Sequence, residues 1–295
     1  DEKKYKGEFK KDDLISDYPT KINVKPYVEA KYIDRYKINT IKYLEWNTAR
    51  IPARIARKTF PELYIHPKII RGATVDGTYD ESGLLCNHSI DVMVLHESLK
   101  SVSNKSIDSS IKKWTSKPRE ELERISSDFN LKYILAILNS KFAKFYLNSI
   151  RRHRIEYYFY PDDFKRLPIK KLSLEGQQPL INLTDLLLQL NKDLQDETNS
   201  FHNWLQRTFN IKKLSQKLEK YYELDFEEFL KEVKKKKVNI KPRKTQELLE
   251  NEFNESLAVI KPLLHEIKVT DREIDEMVYD LYGLTPEERQ IVEEA

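Results

Sequence analysis

The sequence predicts a mixed α+β chain: an α/β domain with a small twisted sheet, followed by a long-helix spacer and C-terminal helices. Three observations carry that expectation. Between Lys25 and His96, runs of β-formers are punctuated by Gly72, the Asp76-Gly77 pair and Gly83, the pattern of short strands joined by tight turns. From Phe129 onward, Tyr133, Ile134, Ile137, Leu138, Phe142, Phe145 and Tyr146 recur three and four apart, as one face of a helix does. Further on, Leu183, Leu187, Leu190, Leu194, Phe201 and Trp204 alternate four and three apart, with Glu197 the one break. That spacing fits a coiled-coil seam, and equally a single helix packed along the domain body.

Length and composition set the bounds. A chain of 295 residues has room for about two domains. Apolar residues make up 39% and charged ones 34%, enough for a real core under a highly charged surface. No apolar run reaches the ~18 residues of a membrane span. The start, DEKKYKGEFKKDD, has neither a signal peptide's apolar region nor an initiator Met, so the chain reads as a cytoplasmic piece of a larger protein. Cys86 is the one cysteine and the six His are scattered; no disulfide framework or zinc spacing follows, and Cys86 is expected to be a buried structural thiol. Residues 1–171 hold 34 Lys+Arg against 23 Asp+Glu, a net of +11, whereas residues 172–295 hold 18 against 25, a net of −7. A basic half followed by an acidic half points to phosphate contact by the first alone.

In chain order, residues 1–24 form a polar lead-in in which Leu14-Ile15 is the segment able to pack. Tyr27, Val28, Ile33, Tyr36 and Ile38 mark strands. Arg50, Arg54 and Arg57 are spaced four and three apart, with Lys58 beside Arg57 and Pro52 just after Ile51, so a helical turn starting near Pro52 puts them roughly on one face. Residues 63–96 read as a β-meander, with Lys68 and Arg71 bounding a short apolar run from which a strand edge reaches a groove. Residues 97–128, rich in Ser and Lys, read as a loop with a short helix at Arg119–Arg124; Trp114 there is either a pin to the body or a stacking platform. The helix from Phe129 ends in Arg151, Arg152, His153 and Arg154, followed by Tyr157, Tyr158, Phe159 and Tyr160. Such a basic and aromatic rim suits a polyanion, though a core helix with a solvated basic end has the same sequence. Gly176-Gln177-Gln178-Pro179 reads as an interruption before the long helix. The Lys234–Lys237 run reads as a solvated helix end, Asn239–Arg243 as a hinge, and Thr270 or Asp271 as the N-cap of a last helix that Gly283 stops. Thr285-Pro286 begins a final short helix.

Several chemistries are absent. There is no Gly-rich phosphate loop, no Ser elbow, no His-x-x-x-His pair and no Asn-Pro-Pro-Tyr tetrad. Pro161-Asp162-Asp163-Phe164-Lys165 is a scrap of a nuclease motif, but a nuclease needs a further carboxylate from a neighbouring strand; Asp162 and Asp163 more simply cap the turn.

LKYILAILNSKFAKFYLNS followed by YPDDFKRLPI resembles the target recognition domains of DNA restriction–modification systems. It is most similar to the TaqI-like C-terminal specificity domain that follows the catalytic domain of adenine-N6 methyltransferases. The resemblance rests on the Leu138-Asn139-Ser140 step ending the helix and on Leu167-Pro168-Ile169 ending the turn. VEAKYIDRYKI resembles the beginning of the recognition domain, HPKIIR and GLLCNHSIDVMVL its central strands, and DREIDEMVYDLYGLTPEERQIVE the end of large single-chain type II restriction enzymes.

The resemblance implies a DNA target recognition domain over residues 25–171 and a helical spacer with C-terminal helices over 172–295. It implies double-stranded DNA as partner, and a methyltransferase catalytic domain in cis or on a partner chain. This chain holds no catalytic motif and no metal or cofactor site is expected in it; S-adenosylmethionine is expected in the missing catalytic domain. Lys and Arg then neutralise phosphates while a few side chains read base edges. The DNA-binding candidates are Arg50, Arg54, Arg57, Lys58, Lys68, Arg71, Arg151, Arg152, His153, Arg154, Tyr157 and Tyr158, with Asn87 and Asn148 as weaker base readers. The competing class is a protein–protein docking module whose helices hold a partner subunit.

Overall fold

In a computed structural model the structure describes residues 11–48, 60–72, 74–87, 89–150 and 159–295. The chain is mixed α+β, with small sheets and long C-terminal helices. Its strands are β1 (Ile15–Ser16), β2 (Asn23–Val28), β3 (Ile33–Asp34), β4 (Lys37–Ile38) and β5 (Lys42–Glu45). After α1 (Glu62–Ile65) come β6 (Lys68–Arg71), β7 (Gly77–Asp80), β8 (Leu85–Cys86) and β9 (Asp91–Met93). The helices that follow are α2 (Lys105–Trp114), α3 (Arg119–Ser126), α4 (Leu131–Asn139), α5 (Lys141–Ile150) and α6 (Pro161–Phe164). Then come α7 (Leu174–Phe209), α8 (Gln216–Glu219), α9 (Phe226–Lys235), α10 (Arg243–Tyr282) and α11 (Pro286–Glu293).

Two compact units divide the chain: Asp1–Leu188 with Glu273–Ala295, and Gln189–Arg272. The division differs from a boundary at 171/172, because the start of α7 and the last 23 residues belong to the first unit. In unit 1 one sheet has the order β1-β5-β2-β8, with β2 and β8 parallel, and another has the antiparallel order β7-β6-β9. The expected meander is therefore split: β8 leaves its sequence neighbours to pair with β2, and LYI of residues 63–65 turns as a helix. Leu14, Tyr27, Val28, Leu44, Ile70 and Cys86 share one buried cluster, so the lead-in packs at Leu14 and Cys86 is a buried thiol. Gly72 is required by close approach, since a Cβ there would lie 2.8 Å from the Ala30 carbonyl oxygen.

The stretch after Phe129 folds as two helices rather than one. The Asn139 amide donates to the Gly77 carbonyl (3.0 Å) and accepts from the Gly77 N–H (2.9 Å), both buried. Ser140, in extended conformation, then accepts from the Ala143 N–H at 3.2 Å. The Leu-Asn-Ser step thus docks α4 on β7 and restarts the helix as α5, satisfying buried backbone groups that would otherwise be costly. Residues 97–128 hold the short helix expected at Arg119–Arg124, as α3, and a second helix, α2, where a loop was expected. Ile107, Ile111 and Trp114 repeat four and three apart, a helical period short enough to be masked by the Ser and Lys around it.

Gly176 and Pro179 lie inside α7. Ser173 accepts from the Gly176 N–H (3.1 Å) as a cap, and Pro179, the sixth helical residue, lies past the four orphan donors and leaves the Glu175 carbonyl, on an exposed residue, without its helical donor. Gln177, fully buried, donates to the Asp128 and Leu172 carbonyls and accepts from the Asn130 N–H, which ties the helix start to the α3–α4 connection. Thr270 is likewise interior to α10, not a cap. Gly283, at φ +71, ends α10, and Thr285 accepts from the Glu288 N–H to open α11.

Unit 2 is a helical body. Leu194, Phe201, Leu205, Tyr221, Phe229, Val233, Phe253 and Leu257 form its core, with Phe201 stacked on Tyr221 at 3.9 Å. The α7 seam is buried at Leu187, Leu190, Leu194 and Phe201. Its break, Glu197, has a use: it accepts from Ser256 (2.5 Å), which also bonds the buried Tyr221 hydroxyl.

Candidate nucleic-acid interface

The basic and aromatic segment after α5 is the centre of the sequence-based site, and Arg151, Arg152, His153, Arg154, Tyr157 and Tyr158 lie outside the described residues, as do Arg50, Arg54, Arg57 and Lys58. What the structure describes is the frame into which the Arg151–Tyr158 segment is tied. At its start α5 is anchored by Ala143 and Leu147, both fully buried. At its end Phe159 offers its carbonyl to Arg71 (2.8 Å). Pro161–Phe164 then makes one helical turn, with Asp163 accepting from the Tyr160 N–H at 3.0 Å. Asp163 is thus a buried cap, as the turn reading expected, and Asp162 pairs with Lys113 at 2.6 Å.

From the end of this turn onward three tyrosine hydroxyls hold alternate carbonyls. Tyr146 donates to Arg166 (3.2 Å), Tyr282 to Pro168, and Tyr133 to Lys170 (2.6 Å). The carbonyls so held alternate with Leu167 and Ile169. Pro168 needs no donor of its own, while Leu167 turns into the core at 7% exposure.

Lys68 and Arg71 do not reach a groove. Their strand, β6, is the central strand of its sheet, not an edge, and both side chains are essentially fully buried. Each pairs with the carboxylate directly across the ladder: Lys68 with Asp80 on β7, and Arg71 with Asp91 on β9. Lys68 also donates to the Tyr64 carbonyl (3.2 Å). Arg71 donates to the Thr74 carbonyl (2.6 Å), and its guanidinium carbon lies 3.5 Å from the Phe164 ring centre. Burial pulls the Arg71 value down and Asp91 pulls it back up; an Arg stays charged in either case. Arg71 is therefore a positioning residue for the end of the basic segment. The signal that identifies such a pair is an acidic residue at the facing ladder position, legible only once register is known.

Burial pushes the Asp80 carboxyl up, but hydrogen bonds from Lys68 and Ser82 outweigh it and hold the value below the ordinary 3.8. A depressed carboxylate stabilises the fold above its unfolded value, and that contribution is lost as pH falls through the folded one. Lys68→Ala, which strands Asp80 without its partner, is expected to lower stability by about 3–5 kcal/mol at neutral pH. The same change should flatten the acid limb of a pH-dependent denaturation curve. An unchanged curve would rule the pair out as a determinant of acid stability.

The exposed cations around this frame come from elements that the loop reading of 97–128 missed. Asn104 caps α2 through the Ser106 N–H (2.9 Å), and α2 presents Lys112, Lys113 and Trp114 at its end. Lys165 lies 4.9 Å from the Trp114 ring centre and Lys113 5.5 Å from it. Trp114 is half-buried, its Nε1 has no partner among the described residues, and its ring is flanked by two ammonium groups. Burial pulls the Lys165 ammonium below its ordinary value, with Asp162 opposing and Lys113 reinforcing. His96 is lowered too, by burial first and by Arg119 second. Lys144, Asn148, Lys165, Arg166, Lys170 and Lys171 are exposed, whereas Asn87 accepts from the Ser89 N–H within its turn. No part of the sequence offers a Gly-rich loop of the kind an S-adenosylmethionine site uses.

No helix among the described residues is long and apolar enough to cross a membrane. A family model described as a domain of unknown function (DUF8810) matches residues 173–278, fewer than half of the chain. The match takes in α7, all of unit 2 and most of α10. No curated protein and no solved structure matches the chain.

Proposed function

We propose that the chain is the DNA-specificity part of a cytoplasmic adenine-N6 restriction–modification methyltransferase. Unit 1 binds double-stranded DNA, and catalysis and S-adenosylmethionine belong to a separate catalytic domain, in cis or on a partner chain. The observation that carries the reading is the framing of the Arg151–Tyr158 segment. A segment with three Arg, a His and two Tyr runs from the end of α5, which Ala143 and Leu147 anchor, to Phe159, whose carbonyl takes a buried guanidinium, and Lys113, Lys165 and Arg166 are exposed on the described part of the same unit. Fixing both ends of a polar, charged segment lowers the entropy lost when it is ordered on a ligand. Exposed cations of unit 1 supply phosphate contacts, and arginine forks of the segment supply base contacts.

The test is a salt-titrated binding assay on duplex DNA, comparing the chain with Arg151→Ala/Arg152→Ala/Arg154→Ala. The variant is expected to bind more weakly, by about 1–3 kcal/mol for each base-reading Arg lost, and with a shallower salt slope, by about 0.9 for each phosphate contact removed. Equal binding by both proteins would refute the role given to this segment. Binding that appears only when a methyltransferase domain is restored would place recognition in the assembled enzyme. No binding in either form would favour the docking reading.

A further inference from the structure

Unit 2 carries a strongly basic end that the recognition reading does not use. Residues 207–220 hold five Lys or Arg against one Glu, and residues 231–244 hold eight against one. The two segments meet in the fold. Ser215 donates to Glu232 of α9 at 3.2 Å, and Ile211, Leu214 and Leu218 share a core with Val233. Gln246 of α10 donates to the Ile240 carbonyl at 2.8 Å. Both segments therefore lie at the end of the unit where α7 stops and α10 starts.

The cations lie on the surface of that end: Arg207, Lys212, Lys213, Lys217, Lys234 and Lys237 are all exposed. Ion pairs among the described residues engage Lys220 with Glu223, Lys235 with Glu232 and Arg243 with Glu247. The six exposed cations just named have no acidic partner within ion-pair distance among the described residues. A solvated helix end accounts for Lys234 and Lys235, which complement the α9 dipole. It does not account for Lys212, Lys213 and Lys217, which come from another segment and raise the like-charge density at the same place.

The chemistry around the patch selects its occupant. Among the described residues of 207–244 no large apolar side chain is exposed, so the patch lacks the apolar anchor of a bilayer-binding surface. Its aromatic residues, Phe209, Tyr222 and Phe226, pack against the core and leave no platform on which single-stranded bases would stack. A surface of fixed charge without anchor or platform suits a stiff, regularly spaced polyanion met from water. We infer that the basic end of unit 2 is a sequence-independent phosphate-contacting surface for duplex DNA. The inference goes beyond the reading of unit 1 and stands without it.

The experiment uses the full chain, a labelled duplex of random sequence and the variant Lys212→Gln/Lys213→Gln/Lys234→Gln/Lys237→Gln. The variant is expected to lose affinity by the same factor on every duplex, with a salt slope shallower by about 0.9 per contact removed and with its preference among duplexes unchanged. Lys→Arg at the same four positions should bind as the parent does; loss there as well would mark a structural effect and overturn the inference. So would unchanged affinity and slope in the Gln variant, no binding of random duplex by the parent at low salt, or a lysine-dependent preference for RNA or anionic vesicles over duplex. The two readings fail separately. If the chain shows no preference among duplexes but the Gln variant loses slope, recognition by unit 1 fails and the basic end remains.

Discussion

Truncation after Arg272 is expected to unfold unit 1 while leaving unit 2 helical. Residues 273–295 are part of the first unit's core: Ile274, Val278 and Tyr279 are fully buried and Val292 nearly so. At roughly 1.5–3 kcal/mol for each buried apolar side chain, the four together rival the 5–15 kcal/mol that holds a typical domain folded. The polar losses add to this. Asp275 accepts from the Lys141 N–H (2.8 Å) at the start of α5, and Lys170 donates to the Leu281 carbonyl (2.6 Å). Tyr282 stacks on Phe142 at 4.2 Å while holding the Pro168 carbonyl. Unit 2 keeps its own core, which lies wholly within 189–272. Near-UV circular dichroism and thermal melting provide the check. A truncated chain that still melts cooperatively with native tertiary signal from unit 1 would show that the tail is dispensable.

Arg71→Met is expected to cost about 3–5 kcal/mol, the penalty for removing one member of a buried charge pair. It takes donors from the Phe159 and Thr74 carbonyls and leaves Asp91 without its partner. The stacking on Phe164 is lost as well; a desolvated contact of this kind contributes about 2 kcal/mol. Adding Asp91→Asn should restore part of the stability, because the stranded carboxylate is removed. It should not restore DNA affinity, because Phe159 still lacks its anchor and the basic segment its fixed end. That split separates positioning from mere stabilisation. A double variant that recovers stability and binding together would show that Arg71 acts on the fold alone.

Much of the fold is legible in the residues. The apolar spacing in Leu131–Ile150 marks a buried helical stretch, Gly283 and Thr285-Pro286 mark a helix end and a helix start, and the leucine seam marks α7. Each signal is local, set by backbone propensity or by a period of three to four residues. The misreadings share one cause. Lys68 and Arg71 look like surface charges because charged residues are rarely buried, and the cross-strand carboxylates Asp80 and Asp91 that make burial tolerable lie 12 and 20 residues away. Phe142, Phe145 and Tyr146 continue the apolar period of α4 as if in one helix, whereas the Gly77 backbone, 62 residues upstream, claims the Asn139 amide. Gly176 and Pro179 look like breakers until Gln177 and Ser173 secure the helix around them.

The charge division changes meaning for the same reason. Read linearly, the acidic half is residues 172–295. In the structure the acidity gathers in 273–295, with one Arg against eight Asp or Glu, and that segment belongs to unit 1. Unit 2 holds 17 Lys or Arg against 15 Asp or Glu and collects its cations at one end. The sequence by itself determined the α+β class, the helical second half, the basic segments and the absence of Gly-rich phosphate-loop and Ser-elbow motifs, because each is local pattern or composition. Which cations are buried, what the Asn139 amide docks on and which segment completes unit 1 were decided only by tertiary structure. Those outcomes depend on partners brought together across tens to more than a hundred residues, and no window along the chain contains them.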